Sequence, residues 1–437
     1  MEREHMKKYL GVRREDKNKW ERRVPLIPED VKELKDRFGI EAVVQPSTLR
    51  IYTDDEFEKN EAIVQEDLSG VDTVFAVKEI PVDLLAQGKT YIFFSHTIKG
   101  QPYNMGLLQR LVDLKCNLID YERIVNEKNQ RLIFFGAHAG YAGMIETLFA
   151  FAKKASQKGI QSPLDDIKQA YAYDSLDDAK AHIKTIGEQI ASQGLPEEMA
   201  PLVVGFAGYG NVSQGAQLIL DILPVKEITP DQIAQVREQA SPDRHHIYKV
   251  VFKEADMVSP MDGAFYLQDY YDHPEKYRSI MDGFLPQMDI LVNCIYWTED
   301  YPRLVTKKGL QDAADKPSKL SVIGDISCDI EGSIEITKDA TMPDNACFTY
   351  LPGTGTFEDG ITKDGITVMA IDNLPCEFSK ESSMFFSQVL KGFAPDIVNA
   401  DFDASFDALA LPYAIKKALI LHKGQFTPDY EYMKDFI

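Results

Sequence analysis

The segment that most constrains the fold is LVVGFAGYGNVSQGAQLILDIL, in which a glycine turn joins an apolar strand to an amphipathic helix. A continuous apolar run is typical of a parallel strand that is covered on both faces of its sheet. Gly208 permits the tight turn, and Gly210 lets the backbone approach a pyrophosphate at the helix start. Ser213 replaces the third glycine of the usual pattern, and Gly215 follows it. The segment predicts an α/β sheet that binds a dinucleotide, although a glycine turn without a ligand has the same local pattern.

The residues predicted to bind the dinucleotide lie in this turn and at the end of the later strand ILVN. They are Gly208, Tyr209, Gly210, Asn211, Val212, Ser213 and Asn293. A second glycine-rich segment, GAHAGYAG, also follows an apolar run and precedes a helix. Because its glycines are spaced for helix packing rather than for a GxGxxG turn, we rank it below the first.

The chain has 437 residues, and since single domains usually hold about 100–200 residues, we expect two domains. Apolar runs alternate with helical patterns on both sides of a polar, linker-like stretch from Ala155 to Pro201. We predict an α/β fold of two Rossmann-like lobes, each a largely parallel sheet flanked by helices, with a cleft between them. Residues 1–145 plus 376–437 are predicted to form a discontinuous substrate lobe, and residues 146–375 the dinucleotide lobe.

Charge and composition narrow the possible partners. A formal net charge of −21 disfavours nucleic acid, and no apolar run approaches the length of a membrane span. The N-terminal MEREHMKKYL is charged from its second residue, so we expect no secretory signal and a cytoplasmic location. The five cysteines are scattered without a CxxC pair, which predicts reduced thiols and no metal site.

Several apolar runs of the first lobe end in a polar side chain. VFAV is followed by Lys78, YIFFS by His96, and NLI by Asp120 and Glu122. The carboxyl ends of parallel strands form the ligand-binding edge of such sheets. An isolated lysine is more often solvated, and an isolated histidine is more often structural. Together, however, Lys78 and His96 predict an acid/base pair, since the pKa of either group can be brought near neutrality.

The segment before these strands is basic in an otherwise acidic chain. It contains Arg13, Arg14, Arg22 and Arg23. Arginines bind carboxylates through charge-assisted, often bidentate hydrogen bonds, so we expect an anionic substrate. A solvated surface is the alternative interpretation.

Longer motifs run along nearly the whole chain. They include GVRREDKNKWERRVPLIPEDV, AVKEIP, FFSHTIKGQPYNMGLL, LIDYERI, GAHAGYAGMI, GYGNVSQGAQ, ILVNCIYWTEDYPRLVT, DISCDIEGSIE and IDNLPCEFSKESS. Together they resemble the lysine-ketoglutarate reductase module of the alanine dehydrogenase and transhydrogenase superfamily. The chain is also similar to the fungal lysine-forming saccharopine dehydrogenases.

This resemblance implies reductive condensation of L-lysine with 2-oxoglutarate to saccharopine, or its reverse. Lys78 and His96 match the acid/base pair, and Arg23 matches a carboxylate-binding arginine. The residues that the resemblance implies for substrate binding are Arg23, Glu79, Lys99, Glu122, Arg131 and Asp325. Of these, Asp325 matches an aspartate near the nicotinamide and the substrate.

Three questions stay open at this point. An acidic residue about 20 positions after the turn favours NAD, and Glu227 or Asp231 lies near that distance. The resemblance to the NADPH-using fused enzymes opposes this, and we expect NADP(H) rather than NAD(H). The alternative functions are an alanine-type amino-acid dehydrogenase and a transhydrogenase-like nucleotide-binding module. The oligomeric state is also open, a homo-oligomer included.

Overall fold

The computed structural model describes residues 8–437. The strands are β1 (Lys8–Val12), β2 (Ile40–Val44), β3 (Ile63–Val64), β4 (Thr73–Phe75), β5 (Thr90–Phe93), β6 (Asn117–Asp120), β7 (Leu202–Ala207), β8 (Val225–Ile228), β9 (Ile247–Phe252), β10 (Val258–Pro260), β11 (Tyr277–Ser279), β12 (Ile290–Asn293), β13 (Val322–Asp325), β14 (Cys347–Leu351), β15 (Thr356–Asp359), β16 (Ile366–Met369), β17 (Leu419–His422) and β18 (Gln425–Phe426). The α-helices are α1 (Pro28–Phe38), α2 (Asp54–Lys59), α3 (Pro102–Asp113), α4 (Gly136–Gln157), α5 (Leu176–Gln193), α6 (Asn211–Leu220), α7 (Ile233–Arg237), α8 (Glu254–Met257), α9 (Leu267–Asp272), α10 (Lys307–Asp312), α11 (Ser379–Leu390), α12 (Ala394–Asn399) and α13 (Tyr413–Ala418).

The chain forms two compact units. The first unit contains the described residues up to Phe135 together with Ser379–Ile437, and the second unit contains Gly136–Phe378. Among residues 8–437, no helix combines the length and the apolar character that crossing a bilayer requires.

The first unit is built on an eight-stranded sheet in the order β18-β17-β6-β5-β4-β1-β2-β3. Strands β1 to β6 are parallel, whereas β17 and β18 are antiparallel additions at one edge. The parallel part therefore has the doubly wound order 3-2-1-4-5-6, in which ligands bind where the strand order reverses. In this unit the reversal lies between β1 and β4.

The second unit also has an eight-stranded sheet, in the order β15-β14-β16-β13-β12-β7-β9-β8. Strands β14 and β15 are antiparallel, and the other six are parallel. The order differs from that of the first unit, since β9 rather than β8 pairs with β7. The predicted α/β class with two largely parallel sheets is confirmed.

The continuous apolar run of β7 has a direct structural cause. All six residues of the strand are buried. Val204 and Phe206 pack into one hydrophobic cluster, whereas Val203 and Ala207 pack into another. Alternate residues of a strand point to opposite faces, so a strand covered on both sides must be apolar throughout.

The linker interpretation of residues 155–201 is wrong. Much of this stretch forms α5, which belongs to the second unit. Its buried residues Ala179, Ile183, Ile186 and Ile190 recur at helical spacing, while the polar residues between them face solvent. The polarity that suggested a linker is the exposed face of an amphipathic helix.

Candidate functional site

Lys78 and His96 follow two strands that end side by side. Strands β4 and β5 are parallel neighbours, with Phe75 opposite Ile92. Beyond them, the Phe94 N–H donates a hydrogen bond to the Val77 carbonyl, at 3.0 Å. The sheet geometry thus continues to the residues adjoining Lys78 and His96, and both half-buried side chains start at one edge of the sheet.

A carboxylate holds the His96 ring. His96 Nδ1 lies 2.6 Å from Glu79 Oε1, and Lys17 Nζ forms an ion pair with Glu79 Oε2 at 3.1 Å. Burial favours a raised pKa for Glu79, but the hydrogen bond and charge of His96, together with the charge of Lys17, lower that pKa to about 2. An ionised carboxylate only accepts hydrogen bonds, so Nδ1 of the ring must carry the proton that is donated to Glu79. The other ring nitrogen, Nε2, can then exchange a proton with a ligand.

The backbone at His96 is strained. Its φ of 50° lies in the left-handed region, which residues other than glycine seldom adopt. The Asn104 side-chain amide stabilises this conformation by donating to the Ser95 and His96 carbonyls, at 2.9 and 3.4 Å. Strain of this kind is concentrated at functional sites, where neighbouring contacts maintain it.

The pairing of Glu79 predicts a pH-dependent contribution to stability. A carboxyl whose pKa falls on folding stabilises the native state above its ordinary pKa, and it loses that contribution as the pH falls through the folded value. Glu79→Gln should therefore lower the free energy of unfolding above pH 4.5, with the difference from the unsubstituted protein shrinking as the pH approaches 2. Urea unfolding at a series of pH values measures it, and a difference that grows on acidification would contradict the assignment.

A second buried carboxylate fixes the backbone of Lys78. Glu15 accepts hydrogen bonds from the Val77 N–H at 2.6 Å and the Lys78 N–H at 2.9 Å. Burial, and then the charge of Glu21, raise the pKa of Glu15 to about 8. Sequence reasoning missed both Glu15 and Lys17. Their only signal was their position directly after β1, whose end adjoins that of β4.

Glu122 and Arg131 lie together beyond the end of β6. Arg131 Nη1 is 3.7 Å from Glu122 Oε1. Asp120, at the end of the strand, is buried and accepts hydrogen bonds from the Ser95 hydroxyl and from the Glu122 N–H. Burial and the charge of Glu122 raise the pKa of Asp120 to about 6. Two predicted substrate residues are thus close together and partly exposed at this edge.

Three arginines of the arginine-rich segment form ion pairs with carboxylates of the first unit. Arg23 is buried and forms a bidentate hydrogen bond with Glu21, at 2.8 and 2.6 Å. Arg13 pairs with Asp16, and Arg14 with Glu66. By contrast, Lys99 is exposed three residues beyond His96. Basic composition alone did not reveal that these arginines have internal carboxylate partners.

The glycine turn of the second unit has room for a ligand. Gly208 has a φ of 92°, and a Cβ there would lie 2.9 Å from the Ile295 side chain. A Cβ on Gly210, which directly precedes α6, would meet nothing within 4 Å. A ligand can therefore approach the backbone at the first turn of α6, which includes Asn211, Val212 and Ser213. Unpaired N–H groups at such a helix start suit a pyrophosphate.

Glycines bring α4 and α6 into backbone contact beneath this turn. A Cβ on Gly140 would lie 2.2 Å from the Val212 carbonyl oxygen, and one on Gly215 would lie 2.3 Å from the Ala137 carbonyl oxygen. The GAHAGYAG segment thus serves helix packing. Gly215 provides the close approach that the third glycine of the usual pattern provides elsewhere.

Asn293 and Asp325 end neighbouring strands of the second sheet. Asn293 Nδ2 donates to Asp325 Oδ1 at 2.8 Å and to Ser333 Oγ at 2.9 Å. Asp325 also accepts from Thr337 Oγ1 and is 1% exposed. Burial raises the pKa of Asp325 to about 6. The carboxylate is therefore enclosed in a hydrogen-bond network below the sheet edge, and its predicted role toward substrate stays a prediction.

Comparison with known proteins relates this arrangement to dehydrogenases. Residues 11–142 match the alanine dehydrogenase/PNT N-terminal domain. The α-aminoadipic semialdehyde synthase of Arabidopsis thaliana is 37% identical over 97% of this chain and 41% of its own length. The mitochondrial synthase of Bos taurus is 32% identical over 98% of the chain and 48% of its own length. The chain thus spans less than half the length of these relatives.

A third relative is similar to the chain over most of both lengths. The NAD(+), L-lysine-forming saccharopine dehydrogenase of Emericella nidulans is 26% identical over 85% of this chain and 87% of its own length. The fold is shared with a solved L-alanine dehydrogenase, at a TM-score of 0.63 and 14% identity over 98% of this chain and 100% of that one. The predicted resemblance is therefore confirmed: residues 11–142 match the alanine dehydrogenase/PNT N-terminal domain, and nearly the whole chain is similar to α-aminoadipic semialdehyde synthases.

Proposed function

We propose that the chain catalyses the NAD(P)-dependent condensation of L-lysine with 2-oxoglutarate to saccharopine, or the reverse reaction. The observation that carries the proposal is the pairing of His96 with Glu79 beside Lys78, at the ends of adjacent strands. The relatives support this choice of substrates, since those from fungi are named as lysine-forming saccharopine dehydrogenases. We assign substrate binding to the first unit and dinucleotide binding to the second.

The reaction needs proton transfers that Lys78 and His96 can perform. The lysine ε-ammonium must lose a proton before its nitrogen attacks the ketone, and the carbinolamine must then lose water to form an imine. With Nδ1 bound to Glu79, His96 takes up or releases a proton at Nε2. When bound, the nicotinamide dinucleotide exchanges a hydride with the carbon–nitrogen bond.

The charges at the strand ends fit these substrates. Glu122 supplies a partly exposed carboxylate that attracts the lysine ε-ammonium. Arg131 and Lys99 present exposed positive charges for substrate carboxylates, of which the two substrates together carry three. Arg23 already binds Glu21 through Nε and Nη2, so a substrate carboxylate would have to share its guanidinium with Glu21.

Substrate dependence of dinucleotide oxidation tests the proposal. NADH and NADPH absorbance should fall with lysine plus 2-oxoglutarate and stay constant when either is omitted. Oxidation with pyruvate plus ammonia alone would replace the proposal with an alanine-type dehydrogenase. No oxidation with any pair, despite dinucleotide binding, would favour a nucleotide-binding module.

Cofactor preference and location are finer questions. Resemblance to the fused enzymes favours NADP(H), whereas the fungal relatives carry NAD(+) in their names. The preference for NADP(H) expected from the sequence stays a prediction. The cytoplasmic location also stays a prediction, because several relatives are named as mitochondrial.

A further inference from the structure

The strand next to the glycine turn is not the one that chain order suggests. In sheets that bind a dinucleotide, an acidic residue after the strand beside the turn hydrogen-bonds the ribose diol of the adenosine half. Here β9 occupies that position, with Ala207 opposite Phe252, and the Gly208 N–H donates to the Phe252 carbonyl at 3.1 Å. Strand β8, although earlier in the chain, lies at the sheet edge and pairs with β9.

Because of this strand order, the acidic residues that were chosen from their spacing lie away from the glycine turn. Glu227 lies on β8, with its side chain 66% exposed and 3.0 Å from Lys249 Nζ. Asp231 follows β8 in an exposed turn. Strands in a sheet are about 4.8 Å apart, so a residue on β8 is two such steps from the turn strand. Neither carboxylate adjoins the turn.

Glu254 does adjoin it. This residue is the second after β9, and Tyr209, within the turn itself, donates a hydrogen bond from its hydroxyl to Glu254 Oε2 at 3.2 Å. Tyr271 donates a second, to Oε1, at 2.8 Å. The charge of Glu254 raises the pKa of Tyr209, which keeps that phenol protonated and able to donate. Two tyrosine hydroxyls thus hold the half-buried Glu254 carboxylate against the turn.

We propose that Glu254 accepts hydrogen bonds from the ribose diol and that its charge repels a 2′-phosphate, so the chain prefers NAD(H) to NADP(H). The inference rests on the dinucleotide site of the proposed function and names the residue that selects the cofactor. It reverses the preference expected from the family resemblance. The physical reason is that a phosphate monoester carries nearly two negative charges, and like charges brought together at a binding site strongly disfavour the complex.

Equilibrium binding of the two dinucleotides tests the proposal on the full chain without lysine or 2-oxoglutarate. The unsubstituted protein should bind NADH at least about tenfold more tightly than NADPH. Glu254→Gln should weaken NADH binding and strengthen NADPH binding, reducing that ratio about tenfold or more. Glu227→Gln, which removes the same charge two strands from the turn, should leave the ratio unchanged.

The possible outcomes separate this inference from the proposed function. Tighter binding of NADPH by the unsubstituted protein, or an unchanged ratio in Glu254→Gln, would overturn the assignment. A change of ratio in Glu227→Gln instead would return the role to β8, and failure to bind either dinucleotide would refute the site itself. An unfolded variant would lose both affinities alike, so the ratio reports selection. The NADH preference without turnover of lysine and 2-oxoglutarate would preserve the inference and refute the proposed reaction.

Discussion

Replacing Lys78 by Met or His96 by Gln is expected to lower turnover with lysine and 2-oxoglutarate by about 10²–10⁴-fold, the usual contribution of a positioned acid or base. His96→Gln keeps a polar group but removes the proton exchange at Nε2 that Glu79 enables by holding Nδ1. Lys78→Met keeps an unbranched stem of similar length and the backbone hydrogen bond to Glu15, while it removes the ammonium. Steady-state rates measure both effects.

The matched control is Lys59→Met. Lys59 is exposed at the end of α2, so the same chemical change should leave the rate within about twofold, as for most surface substitutions. Dinucleotide affinity should be nearly unchanged in all three variants, because Gly208 and Gly210 belong to the second unit. Full turnover in both site variants would remove Lys78 and His96 from the mechanism.

Local features of the sequence predicted the general fold well. The strand, glycine turn and helix around Gly208 are contiguous in the chain, and a strand covered on both faces must be apolar. Both facts are visible in one short segment. The same holds for the polar residues after β4 and β5, because a parallel sheet brings successive strand ends to one edge.

The strand order of the second sheet could not be predicted, because no single segment of the sequence shows which strands pair with each other. Spacing from the turn pointed to Glu227. That choice assumes that β8, the strand after helix α6, pairs with β7, the strand that leads into the turn. Pairing is decided by packing across the sheet, and here β9 rather than β8 packs against β7. The acidic residue beside the turn, Glu254, therefore lies well beyond the spacing of about 20 residues from which Glu227 was chosen.

Internal charge pairing was equally hidden. Glu15 binds backbone N–H groups more than 60 residues away in the chain. Arg23 pairs with Glu21, only two residues before it, yet the sequence WERRV fits a solvated basic surface equally well. The sequence around a carboxylate or a guanidinium does not show whether its partner is a substrate or another side chain. Such pairs become visible only with the fold.

The contact between α4 and α6 gives the largest expected effect on stability. Gly215→Ala places a methyl group 2.3 Å from the Ala137 carbonyl oxygen and 2.9 Å from its Cα. Both are backbone atoms of α4, so no side chain can rotate aside, and the helices must separate. We expect a loss of about 3 kcal/mol or more, at the upper end of the usual range for overpacking. Because α6 carries the open helix start after Gly210, dinucleotide affinity should fall as well.

Gly106→Ala is the matched control, since Gly106 also lies within a helix, α3, but an added Cβ would meet nothing within 4 Å. Alanine favours the helix over glycine, so this variant should be more stable by about 0.5–1 kcal/mol. The same substitution is thus expected to have opposite signs at two helical glycines, and the difference isolates the helix contact from helix propensity. Chemical denaturation measures both free energies of unfolding. If Gly215→Ala stabilised the protein as Gly106→Ala does, the α4–α6 backbone contact would not exist at this distance, and the close approach assigned to Gly215 would have to be withdrawn.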